Sequence, residues 1–203
     1  MTRIPFRPLA VAALLISATL ALGVLAPARA VEGVEYGVTA GGTFPVSNLA
    51  EVVAGGFNIG VTVYKRLTPL VDLGLDIDAH FLGGTDDFEK QLTVKAGMPV
   101  NYNATIIPLS FYGRYRVPVD ENIVPFLKLG AGIYTIQNKV DVGVFGDEFK
   151  DATRLGLDFG GGVDLQMTPT LILGADLMYH WFDTSPEAGQ MIVMRVVALF
   201  GSE

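Results

Sequence analysis

LGLDFGGGVDLQM, residues Leu155 to Met167, decides how this chain folds. Its odd positions are Leu155, Leu157, Phe159, Gly161, Val163, Leu165 and Met167. Its even positions are Gly156, Asp158, Gly160, Gly162, Asp164 and Gln166. One face is apolar apart from a glycine, and the other is acidic, amide or bare backbone. A period of two is the signature of a β-strand, because successive side chains point to opposite faces. In a soluble protein the apolar face of such a strand meets a core. In a closed membrane barrel it meets lipid, and the polar face lines the interior. The run also has the length a tilted spanning strand needs, roughly 9 to 11 residues.

Seven further runs alternate in the same way. They are Tyr36–Phe44, Phe57–Leu67, Val71–Phe81, Ile107–Val117, Phe126–Gln137, Leu171–Phe182 and Met191–Phe200, the last less cleanly. Thr68-Pro69-Leu70 and Thr168-Pro169-Thr170 read as near-identical tight turns, and Pro118 to Asn122 as a third short one. Between these lie longer polar connections, of which Gly83–Asn103 and Asn138–Arg154 are the largest. Within the former, Gln91 to Lys95 alternates and reads as strand extending beyond the membrane; no helix is expected anywhere. Connections that alternate long and short suit an even-stranded membrane barrel, with short turns on one side and longer loops on the other.

Composition agrees. Of 203 residues, 24 are glycine, none is cysteine and 17% are charged. No cysteine excludes a disulfide framework, thiolate metal sites and a cysteine nucleophile. Residues 1–30 lie outside the fold. Arg3 and Arg7 make a positive start, Leu9 to Leu25 an apolar stretch, and Ala28-Arg29-Ala30 a small-x-small cleavage site, the pattern of a secretory signal peptide. Its removal leaves residues 31–203, with 11 basic against 21 acidic residues, a formal charge of −10. An exported acidic chain lacks the basic face that nucleic acid requires. No later segment has eighteen consecutive apolar residues, so a membrane form must be a closed barrel.

The charges sort by face. No charge is expected on the apolar faces; Asp72, Asp76, Asp78, Asp158, Asp164, Asp176, Arg114, Arg116, Lys128 and Arg195 fall opposite, with His80 and His180. A lipid-facing surface requires this sorting, although a soluble barrel keeps charges off its core face too. The outward aromatics are more discriminating. With the short turns periplasmic, Phe44, Phe57, Phe81, Tyr179 and Trp181 lie near the extracellular rim, and Tyr36, Tyr115 and Phe200 near the periplasmic one. Two aromatic girdles are the expected interface belts.

The signal peptide, eight alternating strands and near-terminal Phe200 together resemble the small outer-membrane β-barrels of Gram-negative bacteria, OmpA/OmpX-like and including the opacity-type barrels. The resemblance covers residues 31–203 and rests on pattern. It implies an all-β, eight-stranded antiparallel up-and-down transmembrane barrel in the cell outer membrane. It further implies a monomer surrounded by outer-membrane lipid and lipopolysaccharide. Barrel-assembly machinery would read Phe200, although Gly201-Ser202-Glu203 follow it. Pro108, unable to donate to a ladder, is expected where the fourth strand enters the membrane.

A charged interior reads as a salt-bridged plug, because an eight-stranded barrel is just wide enough for its own side chains. A narrow, low-conductance, porin-like pore is the sharper alternative. Some barrels of this kind are lipid A deacylases or proteases. Here the candidates are His180 with Asp183, Ser185 and Glu187, and His80 near Asp78. The deacylases carry a serine two residues after the histidine; this chain has Phe182 there, so the motif is absent. The two histidines lack ligand spacing, and the loop acids Asp86, Asp87, Glu89, Asp141, Asp147, Glu148, Asp151, Asp183 and Glu187 lack the calcium-loop pattern. No catalytic, cofactor-binding or metal-binding residue is therefore assigned. What remains is a structural or surface-interaction role, adhesion or envelope integrity, carried by loops 83–103 and 138–154. The competing fold is a soluble periplasmic lipocalin-like carrier whose apolar faces point inward around a ligand.

Overall fold

A computed structural model of the chain describes residues 33–117, 119–120, 122–142, 147–184 and 188–201; the signal-peptide reading, Ser185, Glu187, Ser202 and Glu203 lie outside them. The described chain forms eight antiparallel strands: β1 Val34–Val46, β2 Gly56–Thr68, β3 Val71–Gly83, β4 Asn101–Arg116, β5 Ile123–Asp141, β6 Asp147–Thr168, β7 Leu171–Asp183 and β8 Ala188–Gly201. Each pairs with its neighbour in sequence, and β1 pairs with β8 to close the barrel. Closure leaves no unpaired sheet edge, the condition for crossing a bilayer with strands.

The two faces segregate as the period-two pattern requires. Phe57, Leu129 and Leu155 expose 60%, 67% and 72% of their surface on the outside, while Asp72, Arg114 and Lys128 are each 3% or less exposed on the inside. This is the reverse of a soluble barrel and rules out the lipocalin-like orientation. An apolar band of this extent on an exterior calls for lipid or a partner to cover it. The girdle residues share registers: Phe57 pairs with Phe81, their rings stacked at 4.9 Å, Phe159 faces Tyr179, and Leu157 faces Trp181. At the other end Tyr36 pairs with Phe200 and Val71 with Tyr115.

The matching Thr-Pro turns behave alike. Thr68 Oγ1 accepts from the Leu70 and Val71 backbone N–H groups, and Thr168 Oγ1 accepts from that of Thr170. A register shift sits beside each, at Arg66/Thr68 and at Gln166/Thr168.

Four expectations need correction. The first is the absence of helix. α1 (Leu49–Val52) lies between β1 and β2, and α2 (Asp86–Ala96) between β3 and β4. The alternating Gln91–Lys95 run therefore lies in a helix. Thr85 caps α2 by accepting from Phe88 N–H, acids fill its first turn, and Gly97 ends it with φ +70°. No helix among the described residues is long and apolar enough to cross a membrane.

Second, the 138–154 connection is mostly ladder. β5 and β6 pair continuously from Ile123–Leu165 to Asp141–Asp147, well beyond the apolar band. Third, β4 begins at Asn101 and not near Ile107, so Pro108 lies inside the strand and not near its end. It has no N–H to donate, and the β3–β4 ladder passes from Ile77–Leu109 to His80–Ile106 without pairs opposite it. Fourth, the outer face is not free of charge: Lys65 stands on it, exposed, paired with Val34 and Leu73 near the turn end. A long stem lets such a lysine cover apolar surface while its ammonium reaches the interface.

Candidate functional site: the barrel lumen and its loop-side mouth

The lumen is built in layers, from the turn end to the loop end. The lowest layer is a charged cluster around Arg114. Its Nε donates to Asp72 Oδ2 at 2.9 Å and its Nη1 to Asp164 Oδ2 at 2.8 Å. Its guanidinium lies over the rings of Tyr64 at 4.2 Å and Phe126 at 4.9 Å. Below it Arg66 donates to Glu35 at 2.7 Å. Arg116 reaches no nearer than 4.0 Å to Asp72.

The middle layer is denser. Arg195 clasps Asp176 with both Nε and Nη2, at 2.9 and 2.6 Å, and sends Nη1 to Asp78 at 2.6 Å and to Asp76 at 3.2 Å. Two parallel N–H donors on one carboxylate are the strong form of this pair. Lys128 Nζ donates to Asp76 at 2.5 Å and lies 3.6 Å from the Tyr112 ring centroid. Tyr112 Oη donates to the other oxygen of Asp76 at 2.9 Å, and Thr39 Oγ1 donates to Asp78 at 2.7 Å. Two small residues make this possible. A Cβ on Gly74 would stand 2.7 Å from the Tyr112 ring, and one on Gly60 2.7 Å from the Asp78 carboxyl carbon.

Above lie the histidines. His80 Nδ1 bonds Thr43 Oγ1 at 2.7 Å, His180 Nδ1 bonds Tyr134 Oη at 2.8 Å, and the two rings are 5.9 Å apart. His180 thus faces a phenol, not a serine or an acid.

Around and above the histidines the lining is apolar, which the sequence reading did not anticipate. Leu82, Ala104, Ile106, Ile136, Met178, Phe182, Met191 and Val193 pack with Val53, the residue after α1. Over this floor the mouth opens into a cavity of about 360 Å³. At its edge Tyr102 donates to Asn138 at 2.6 Å; burial raises the pKa of this phenol, which keeps it a donor.

Of the residues expected inside, the structure unites Asp72, Asp76, Asp78, Asp164, Asp176, Arg114, Lys128 and Arg195 in ion pairs. Asp158 is buried but makes no ion pair among the described residues. Glu35 and Arg66 belong to the lower cluster and went unassigned; alternation extended one residue before Tyr36 would have placed Glu35 inside. Among the described residues no group of three or more histidine or acidic side chains could hold a metal.

A closed eight-stranded barrel with an apolar exterior, a charged interior and all elaboration at one end defines a class: a small transmembrane β-barrel. The sequence places it further. The family described as "outer membrane protein beta-barrel domain" matches residues 12–197, and the chain belongs to that family. No curated protein matches the sequence. Among solved structures, neisserial surface protein A is similar at 18% identity, covering 84% of this chain and 97% of its own, with a TM-score of 0.57. A major outer membrane protein of Thermus thermophilus is similar at 14% identity, covering 82% and 98%, with a TM-score of 0.55. The attachment invasion locus protein Ail of Yersinia pestis, solved with the heparin analogue sucrose octasulfate, is similar at 12% identity, covering 82% and 99%, with a TM-score of 0.53. At these identities the likeness is one of fold.

Proposed function

We propose that this protein is a non-catalytic, monomeric surface-interaction protein of the outer membrane, its activity carried by the loop-side end. The observation behind this is the lumen. Two ion-pair clusters and an apolar layer fill it, and groups so paired do not leave a water path. Transport is thereby disfavoured, and function falls to the elements a rigid wall presents. At the loop end those are α1, α2 and the protruding β5–β6 hairpin.

The attachment and invasion in the name of Ail fit the same arrangement. The charge differs in kind from a heparin site. Asp86, Asp87, Glu89, Asp141, Asp151 and Asp183 outnumber Lys90, Lys95, Lys139 and Arg154, so a neutral or basic partner surface suits this end better than a polyanion. Export by a signal peptide cleaved after Ala30, lipopolysaccharide contact and recognition of Phe200 by the assembly machinery belong to the same proposal.

The test replaces residues 86–96 with a glycine–serine linker on cells displaying the full chain. Adherence to epithelial cells and to other bacteria should fall while the barrel still shifts on gels after boiling. Adherence equal to that of the parent would contradict the proposal. A deletion strain that loses only detergent resistance would favour envelope integrity instead.

A further inference from the structure

The mouth cavity is walled by α1, β4, β5, β6, β7 and the start of β8. Its floor and sides are apolar: Leu49, Val53, Ala104, Ile106, Ile136 and Phe182. Among the described residues that line it, one is a cation. Arg154, on the inner face of β6 opposite Tyr134, is partly buried and makes no hydrogen bond or ion pair among the described residues. This sets it apart from Arg114 and Arg195, each of which holds two or more carboxylates. A guanidinium drawn partly out of water beside apolar walls, with no counter-ion of its own, is costly until one arrives.

From this juxtaposition we infer that the cavity binds an anionic single-chain amphiphile. The chain lies on the Ile106–Phe182 floor, and the carboxylate or phosphate monoester head sits on Arg154. The volume, about 360 Å³, lies near the lower bound of small-molecule pockets, roughly 300–1,000 Å³, which favours one short or medium chain over a two-chain lipid. The cavity is a dead end. Below its floor come the His80–His180 layer and then the Arg195 cluster, so the ligand is held and not passed through.

The experiment uses the full barrel in lipid nanodiscs, with empty nanodiscs as the blank. Octanoate, octyl phosphate and octanol are each titrated. The expected result is saturable one-site binding of an anionic probe, weakened about tenfold by Arg154→Gln, restored by Arg154→Lys, and a weaker octanol signal indifferent to both. The tighter of the two anions identifies the head group. Ala152→Phe, which fills the cavity from β6, should abolish binding of every probe while heat-modifiable gel mobility is unchanged. Uptake no greater than by empty nanodiscs would overturn the inference. So would saturable binding that Arg154→Gln leaves unaltered.

Discussion

Replacing Arg195 with alanine tests the plug most severely. Arg195 is the shared partner of Asp76, Asp78 and Asp176, and its own side chain is 1% exposed. In the parent, two cations, Arg195 and Lys128, face three carboxylates in this layer. The substitution leaves one cation against three. Lys128 can still hold Asp76, and Thr39 still donates to Asp78, but Asp176 loses both of its guanidinium bonds. Breaking a buried pair by removing one partner costs about 3–5 kcal/mol, because an uncompensated charge stays behind. At roughly 1.4 kcal/mol per decade, the folded-to-unfolded ratio falls between about two and three and a half decades. With a urea slope near 2 kcal/mol per molar, the midpoint drops by about 1.5–2.5 M. The assay is urea unfolding of the vesicle-inserted barrel, scored by gel mobility. Asp176→Asn alone should cost less, since it balances the layer at two cations and two anions. The double variant should cost less than the two singles together, with a coupling of about 0.5–3 kcal/mol. A midpoint for Arg195→Ala within half a molar of the parent, or additive singles, would refute the plug as a stabilising unit.

Other outcomes follow from the same structure. Neither Arg114→Ala nor Arg195→Ala should create stable wide-open channels in a planar bilayer, because the apolar layer around Phe182 and Met191 still closes the lumen; single-channel recording checks this. Gly74→Val should displace the Tyr112 ring, cost Asp76 its phenol donor and lower the urea midpoint by more than an outward change such as Leu75→Val; side-by-side titrations decide. Thr85→Ala should destabilise α2 by about 1 kcal/mol and raise amide exchange across residues 86–96, leaving barrel strands protected. Phe182→Ala, in the cavity floor, should lower stability by about 3–5 kcal/mol, read from the same urea curves.

The eight strands were legible because a period of two shows whichever face is buried, and glycine, threonine and aspartate on one face leave little ambiguity about which face is polar. β8 read poorly for a reason now visible. Its inward Met191, Val193, Val197 and Leu199 pack in apolar clusters inside the lumen, so both of its faces are apolar. The same clusters hid the mouth cavity, since Met178 and Phe182 occupy positions the pattern marked as polar lining and Ile106 lies before the expected start of its strand. α2 escaped notice because none of its residues is buried and it therefore has no apolar stripe. Its signals were terminal ones: Thr85, the acids after it, Lys95 and Gly97. The β5–β6 extension escaped because beyond the bilayer both faces meet water, and alternation in Asn138, Lys139, Val140 and Asp141 disappears. Apart from Lys65, the charged residues of the strands were placed on the correct face, but their partners were not readable. Arg195 meets Asp76 and Asp78 across 119 and 117 residues of chain, a matter of barrel closure and not of local spacing.

The chain contains one tryptophan, Trp181, which points outward in the loop-side girdle with 40% of its surface exposed. Its fluorescence in vesicles made with brominated lipids tests the central claim, that the apolar face meets the bilayer near its interface. The account predicts strong quenching by bromines placed shallow in the acyl chain, weaker quenching by bromines at the bilayer centre, and little by aqueous iodide. Fluorescence untouched by any brominated lipid and quenched freely by iodide would contradict it.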